Sequence, residues 1–199
     1  MKLTKNNNQK NSKKYYNATY LSVWTDLREV NDVNEYPNEW TEYSLDTIDN
    51  FYIRNGQTQI STIMDRYDIF KDDDSLRYYL IDSRLNRPLG VMEFFDEPNK
   101  KNNIYNVFLK DEVRGQGIGY FFYKAIIHDL GYVVSADDLT VDSRRVWIKL
   151  LRDSEIKVEV HSVIDGRVFT SSEISVENDY IDVPGYQRED LIIYAISDK

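Results

Sequence analysis

From residue 76 to residue 196 the apolar positions fall into short runs separated by Gly, Pro, Asn and Asp. Leu76–Ser83 and Leu89–Phe95 have the β-branched and aromatic content of strands, and Leu85-Asn86-Arg87-Pro88 between them predicts a turn, so the pair forms a hairpin. A polar loop from Pro98 to Asn103 leads into a third strand, Ile104–Leu109. After a glycine-rich stretch, helical spacing runs from Ile118 to Leu130 and Gly131 stops it. Tyr132–Ala136 predicts a fourth strand. A helix from Asp142, taken as its N-cap, to Arg152 places Val146, Trp147, Leu150 and Leu151 on one face. Lys157–Ile164 and Leu191–Ile196 predict two more strands. Between them, turns at Asp165-Gly166 and Pro184-Gly185 leave room for another hairpin.

Upstream the pattern is looser. Tyr15–Trp24 predicts a strand and residues 25–39 a loop. Ser44 is a good N-cap for a helix reaching Arg54, with Leu45, Ile48 and Tyr52 on one side and Asn55-Gly56 as its end. Ile60, Ile63, Met64 and Tyr67 predict a second helix over Gln59–Phe70. Asp72-Asp73-Asp74 reads as a solvated turn. No internal repeat or linker divides the chain, so the expectation is a basic arm, residues 1–14, followed by one domain over 15–199.

Composition narrows the chemistry. The 199 residues are 41% hydrophobic, enough for a core, and no run approaches the about 20 apolar residues of a spanning helix. Nothing apolar follows the basic start as in a secretory signal, and there are no cysteines, which excludes disulfides and thiolate chemistry. His128 and His161 lie far apart, outside any metal-ligand spacing. A cytoplasmic protein without a metal centre is expected. Net charge is −9, although Lys2, Lys5, Lys10, Lys13 and Lys14 make the first fourteen residues basic. So acidic a body argues against a nucleic-acid surface, contact by the arm excepted.

The glycine-rich stretch is Arg114-Gly115-Gln116-Gly117-Ile118-Gly119, at a predicted strand-to-helix junction. Glycines let backbone approach a ligand, and a helix start offers unpaired N–H groups with the positive end of its dipole, so the junction suits a phosphate or pyrophosphate. The spacing is GxGxG, with Tyr120 where the dinucleotide fingerprint GxGxxG needs its third glycine. The P-loop pattern, GxxxxGK then Ser or Thr, is absent.

An Arg followed by Gly three and five places on resembles the coenzyme A pyrophosphate loop of the GNAT superfamily of N-acetyltransferases, in its common form RGQGIG. Residues 76–196 also follow that superfamily's element order. The resemblance implies an α/β (α+β) fold: a mixed central sheet of about six or seven strands, helices on both faces, and strands 104–109 and 132–136 splayed apart. It implies acetyl-CoA as co-substrate, with Val107, Phe108 and Leu109 along the pantetheine arm, residues 114–119 at the pyrophosphate, and Ser143 and Trp147 also lining the cofactor site. The acetyl group would pass directly to an amine of a small molecule or protein.

Within that resemblance the second helix departs from its pattern, NxxAxxLYxKxGF. Trp147 stands in the place of the tyrosine that protonates the leaving thiolate, and an indole N–H is no proton donor near neutral pH. Three routes stay open. Water, Tyr123 or Tyr132 supplies the proton; the thiolate leaves unassisted; or the domain binds a partner and does little chemistry, as a phage or mobile-element protein acting on a host target. For the base, alternation turns Glu93 toward the cleft, and Glu112 precedes the loop. Both have the ordinary reading of solvated surface carboxylates.

Overall fold

A computed structural model describes residues 38–51, 56–136 and 139–198. The expected arm 1–14, the strand 15–24 and most of the loop 25–39 lie outside the described residues. Those described belong to one unit, Tyr36–Lys199.

Five strands form an antiparallel sheet in sequence order: β1 (Gln57–Ile63), β2 (Tyr67–Asp72), β3 (Arg77–Asp82), β4 (Arg87–Phe94) and β5 (Ile104–Leu109). The hairpin β3–β4 and strand β5 are the expected elements. The helix expected over Gln59–Phe70 is not present. That segment is the β1–β2 hairpin, paired from Gln57↔Asp72 to Ile63↔Tyr67. Its turn holds Met64 and Asp65 at φ 54° and 52°, and Arg66 N–H closes it on the Ile63 carbonyl. A turn with positive φ at both central residues matches strand twist. Met and Asp are not the residues that announce it, and Ile60, Ile63 and Tyr67 fit either period. Pairing of β2 with β3 decided the outcome, because it buries Tyr67 and Ile69. Of the expected solvated turn, Asp72 instead ends β2 and is buried, while Asp73 and Asp74 lie in the β2–β3 turn, where the Asp74 N–H donates to the Asp72 carboxylate.

Helix α1 (Asn38–Asp49) covers one face of this sheet. It starts before Ser44, which lies buried inside it rather than capping it. Ile48 and Phe51 pack there on Tyr79, Ile81, Val91 and Phe108, and Phe51 stacks on Tyr79 with ring centroids 4.0 Å apart. The opposite face carries the main core, with Tyr78, Leu80 and Met92 clustered with helix α2 (Ile118–Leu130).

The second half builds a four-stranded sheet in the order β6 (Tyr132–Val134), β11 (Leu191–Ser197), β7 (Ile156–Ser162), β8 (Val168–Phe169). Helix α3 (Val141–Leu151) packs on β7. Its N-cap is Thr140, whose hydroxyl accepts the Ser143 N–H, and not Asp142, which sits in the first turn. The expected extra hairpin is β9 (Ser175–Glu177) with β10 (Tyr180–Asp182), packed against α3.

In place of one continuous ladder, the two larger sheets meet, among the described residues, at a single parallel bridge, Asn103↔Val134. The Val134 N–H donates to the Asn102 carbonyl, and Asn102 Nδ2 donates to the Tyr132 carbonyl, each at 3.0 Å. Beyond that bridge β5 and β6 share no ladder among the described residues. The expected splay thus lies where the resemblance implies, with the glycine loop leaving the far end of β5.

Candidate active site

Strand β5 ends at Leu109, and a short turn, Asp111–Val113, leads to Arg114. Gly115 and Gly117 hold φ of 72° and 80°, the left-handed region that disfavours side chains, and a Cβ on either would meet nothing within 4 Å. Both glycines serve backbone conformation and leave open space beside the main chain. Gly117 caps α2 without a side-chain acceptor. Among the described residues, no N–H from Gly115 to Gly119 donates to a backbone carbonyl. A row of unpaired donors at a helix start is a fitting cradle for a phosphate-type anion.

Side chains fix the loop from outside. Arg114 Nε donates to the Leu109 carbonyl at 2.7 Å, and its guanidinium pairs with Asp111 at 3.0 Å and lies over the Phe108 ring. Gln116 Nε2 donates to the Glu112 carbonyl, and Glu112 itself pairs with Arg87. The Lys110 N–H donates to the Leu89 carbonyl. Antiparallel alternation from that bond turns the main-chain groups of Val107 and Leu109 away from β4, to the side where β6 lies, and those of Phe108 toward β4. The Phe108 ring packs under α1.

Glu93 is not a solvated carboxylate. It is 3% exposed, on the α1 face of the sheet. Arg77 Nε donates to its Oε1 at 2.6 Å, the Tyr43 hydroxyl to Oε1 at 3.2 Å, and Asn106 Nδ2 to Oε2 at 3.0 Å. Asn106 Nδ2 also reaches Ser44 Oγ. Asn106 Oδ1 is buried without a hydrogen-bond partner among the described residues. Burial is the largest influence on Arg77 and pulls its pKa down, but Glu93, Tyr43 and Tyr79 together with the hydrogen bond to Glu93 outweigh it, and the net shift is upward. Register lines up this network, Arg77↔Glu93 and Glu93↔Asn106 across three strands. Sequence reasoning missed Arg77, Asn106, Tyr43 and Ser44. The available signal was a polar residue among apolar ones in each of three strands, without the register that aligns them.

Trp147 is 0% exposed, edge-on to Tyr123, with an indole N–H that has no partner among the described residues. The Tyr123 hydroxyl lies 3.2 Å from Ser143 Oγ, so the structure brings Tyr123, Ser143 and Trp147 together between α2 and α3. Tyr132 stands apart at the sheet junction, paired with Ile196. Arg144, another residue the sequence did not single out, is buried beside them with its guanidinium 3.8 Å from the Tyr180 ring centroid, while Arg188 lies 3.7 Å from the same ring. Tyr120, in the first turn of α2, donates to Asp153, which also pairs with Lys124 at 2.8 Å. Burial pushes the Asp153 carboxyl up, yet the bonds from Lys124 and Tyr120 outweigh it and hold it at about 2. No cluster of metal-ligating side chains occurs among the described residues, and none of their helices is long and apolar enough to cross a membrane.

The sequence matches no protein-family model and no curated protein. Solved structures with a similar course include the diaminobutyrate acetyltransferase of Paenibacillus lautus bound to L-2,4-diaminobutyric acid and coenzyme A. It is 13% identical over 61% of this chain and 69% of its own, with a TM-score of 0.35. An IAA acetyltransferase from Bacillus cereus is 15% identical over 67% and 79%, with a TM-score of 0.30. YjaB from Escherichia coli, in its apo form, is 12% identical over 63% and 66%, also at 0.30. At such TM-scores these likenesses carry no weight for activity, which has to be read from the loop and the splay themselves.

Proposed function

We propose that this chain is an acyl-CoA-dependent N-acyltransferase, moving an acetyl group from acetyl-CoA to an amine on a small molecule or a protein. One observation carries the reading. The loop Gly115–Gly119 offers its N–H groups without backbone acceptors, at the end of the strand that diverges from β6. Those groups, with the dipole of α2, take the pyrophosphate. The main chain around Val107 orients the pantetheine arm. The co-substrate supplies an activated thioester, and the amine attacks its carbonyl directly. Holding the two reactants together supplies much of the rate.

For proton transfer, Glu93 is a poor base because it is engaged by Arg77, Tyr43 and Asn106. Tyr123 lies edge-on to Trp147 with its hydroxyl 3.2 Å from Ser143 Oγ, and Tyr132 stands near the divergence of the strands. The burial of Trp147 where the tyrosine of the resembled pattern would stand favours a second reading, a binding protein with weak or no turnover. Calorimetric titration with coenzyme A, followed by thiol release from acetyl-CoA over a panel of amines, separates the two. Failure to bind coenzyme A sinks both the enzyme reading and the cradle. Binding without thiol release favours the second reading.

A further inference from the structure

Leu109 closes β5, and its side chain is caught between two glycines. A Cβ on Gly90, its partner on β4, would stand 2.3 Å from Leu109 Cδ2 and 3.0 Å from the Phe108 carbonyl oxygen. A Cβ on Gly119, in the first turn of α2, would stand 3.3 Å from Leu109 Cδ1 and 3.6 Å from Val146 Cγ2 of α3. One isobutyl group therefore fills the notch at Gly90 and presses against the notch at Gly119. Neither glycine has a positive φ, in contrast to Gly115 and Gly117. Gly90 and Gly119 are glycines for the space they leave. The leucine's other end is also committed, since its carbonyl accepts Arg114 Nε at 2.7 Å. The loop 114–119 is thus held at its start by the Leu109 main chain and at its end by the Leu109 side chain.

We propose that Gly90 is a positioning residue for the loop. Lying more than twenty residues before it, Gly90 sets where Leu109 sits, and Leu109 sets where the donor groups of Gly115–Gly119 point. Leu109 is partly buried against the main core, and the close contact at Gly119 stands in the way of its moving aside. That the loop's occupant is coenzyme A rests on the function proposed above. The coupling of Gly90 to the loop does not.

The test is a double-mutant cycle on the full chain with Gly90→Ala, Leu109→Ala and both together, read by coenzyme A titration and by thermal unfolding. Gly90→Ala drives Leu109 toward Gly119 and weakens coenzyme A binding on the order of tenfold. Adding Leu109→Ala removes the clash, so the double variant binds more tightly than Gly90→Ala alone. Wild-type affinity in Gly90→Ala, or losses that simply add, overturns the proposal. A second measurement covers a Gly90→Ala chain that does not fold and a wild type that does not bind coenzyme A, the latter being a failure of the functional reading alone. In Leu109→Ala the amide resonances of Gly115, Gly117 and Gly119 shift, while those of the remote turns at Gly166 and Gly185 stay in place. Unmoved loop glycines in that spectrum overturn the proposal as well.

Discussion

Arg77 and Glu93 face each other across β3 and β4 with Nε 2.6 Å from Oε1, the carboxylate buried and the arginine about a third exposed. Removing the cation leaves a carboxylate without its main partner in a dry place. Arg77→Met should cost about 3 kcal/mol, the low end for breaking a buried pair because Arg77 is partly solvated. Denaturant unfolding measures it. A loss under about 1 kcal/mol, the usual worth of a surface pair, would show that Glu93 is solvated after all.

Asp153 gives the fold an acid-sensitive joint between α2 and the end of α3. Its folded pKa of about 2 lies below the ordinary 3.8, so its contribution is present above 3.8 and fades as pH falls through about 2. Asp153→Asn should therefore be less stable than the wild type near neutrality, and the gap should close across that window. Chemical unfolding of both proteins along a pH series is the check. A gap that stays constant would mean that the carboxylate charge is not what holds the joint.

At Gly117 an alanine meets no neighbour, so the cost of Gly117→Ala is conformational, about 1–2 kcal/mol for a side chain at positive φ. Thermal unfolding should drop by a few degrees. Coenzyme A affinity should fall too, since the main chain relaxes away from the geometry that aims its N–H groups. An unchanged Tm together with unchanged affinity would show that the loop does not need this conformation.

Trp147 should behave as a core residue. Trp147→Ala removes a wholly buried indole and should cost about 3–5 kcal/mol. Trp147→Phe should cost far less, because it keeps a ring against Tyr123 and deletes a buried donor that has no partner. Equal losses in the two variants would point to a hydrogen bond made by the indole.

Much of the site's frame was legible because its signals are local. Ile104–Leu109 and Ile118–Leu130 have the expected bounds, since a short apolar run and a helical stripe closed by Gly131 depend on nothing distant. The loop between them was legible for the same reason. What could not be read depends on pairing across the chain. Residues 59–70 carry apolar spacing that suits a helix, and only β3 makes them strands. The Arg77–Glu93–Asn106 row exists only once register is known, and the bulges at Leu80/Ile81 and Glu93/Phe94 make that register uncountable from sequence. Leu109's two glycine notches are a matter of tenths of an ångström between elements far apart in the chain.

The lone bridge at Asn103↔Val134 has a mechanical consequence. Among the described residues the two sheets share one bridge and no ladder, and on the proposed function the acyl carrier would be laid between them like a missing rung. Its binding should then stiffen the whole molecule, so that saturating coenzyme A slows amide exchange on both β5 and β6 rather than at the loop alone.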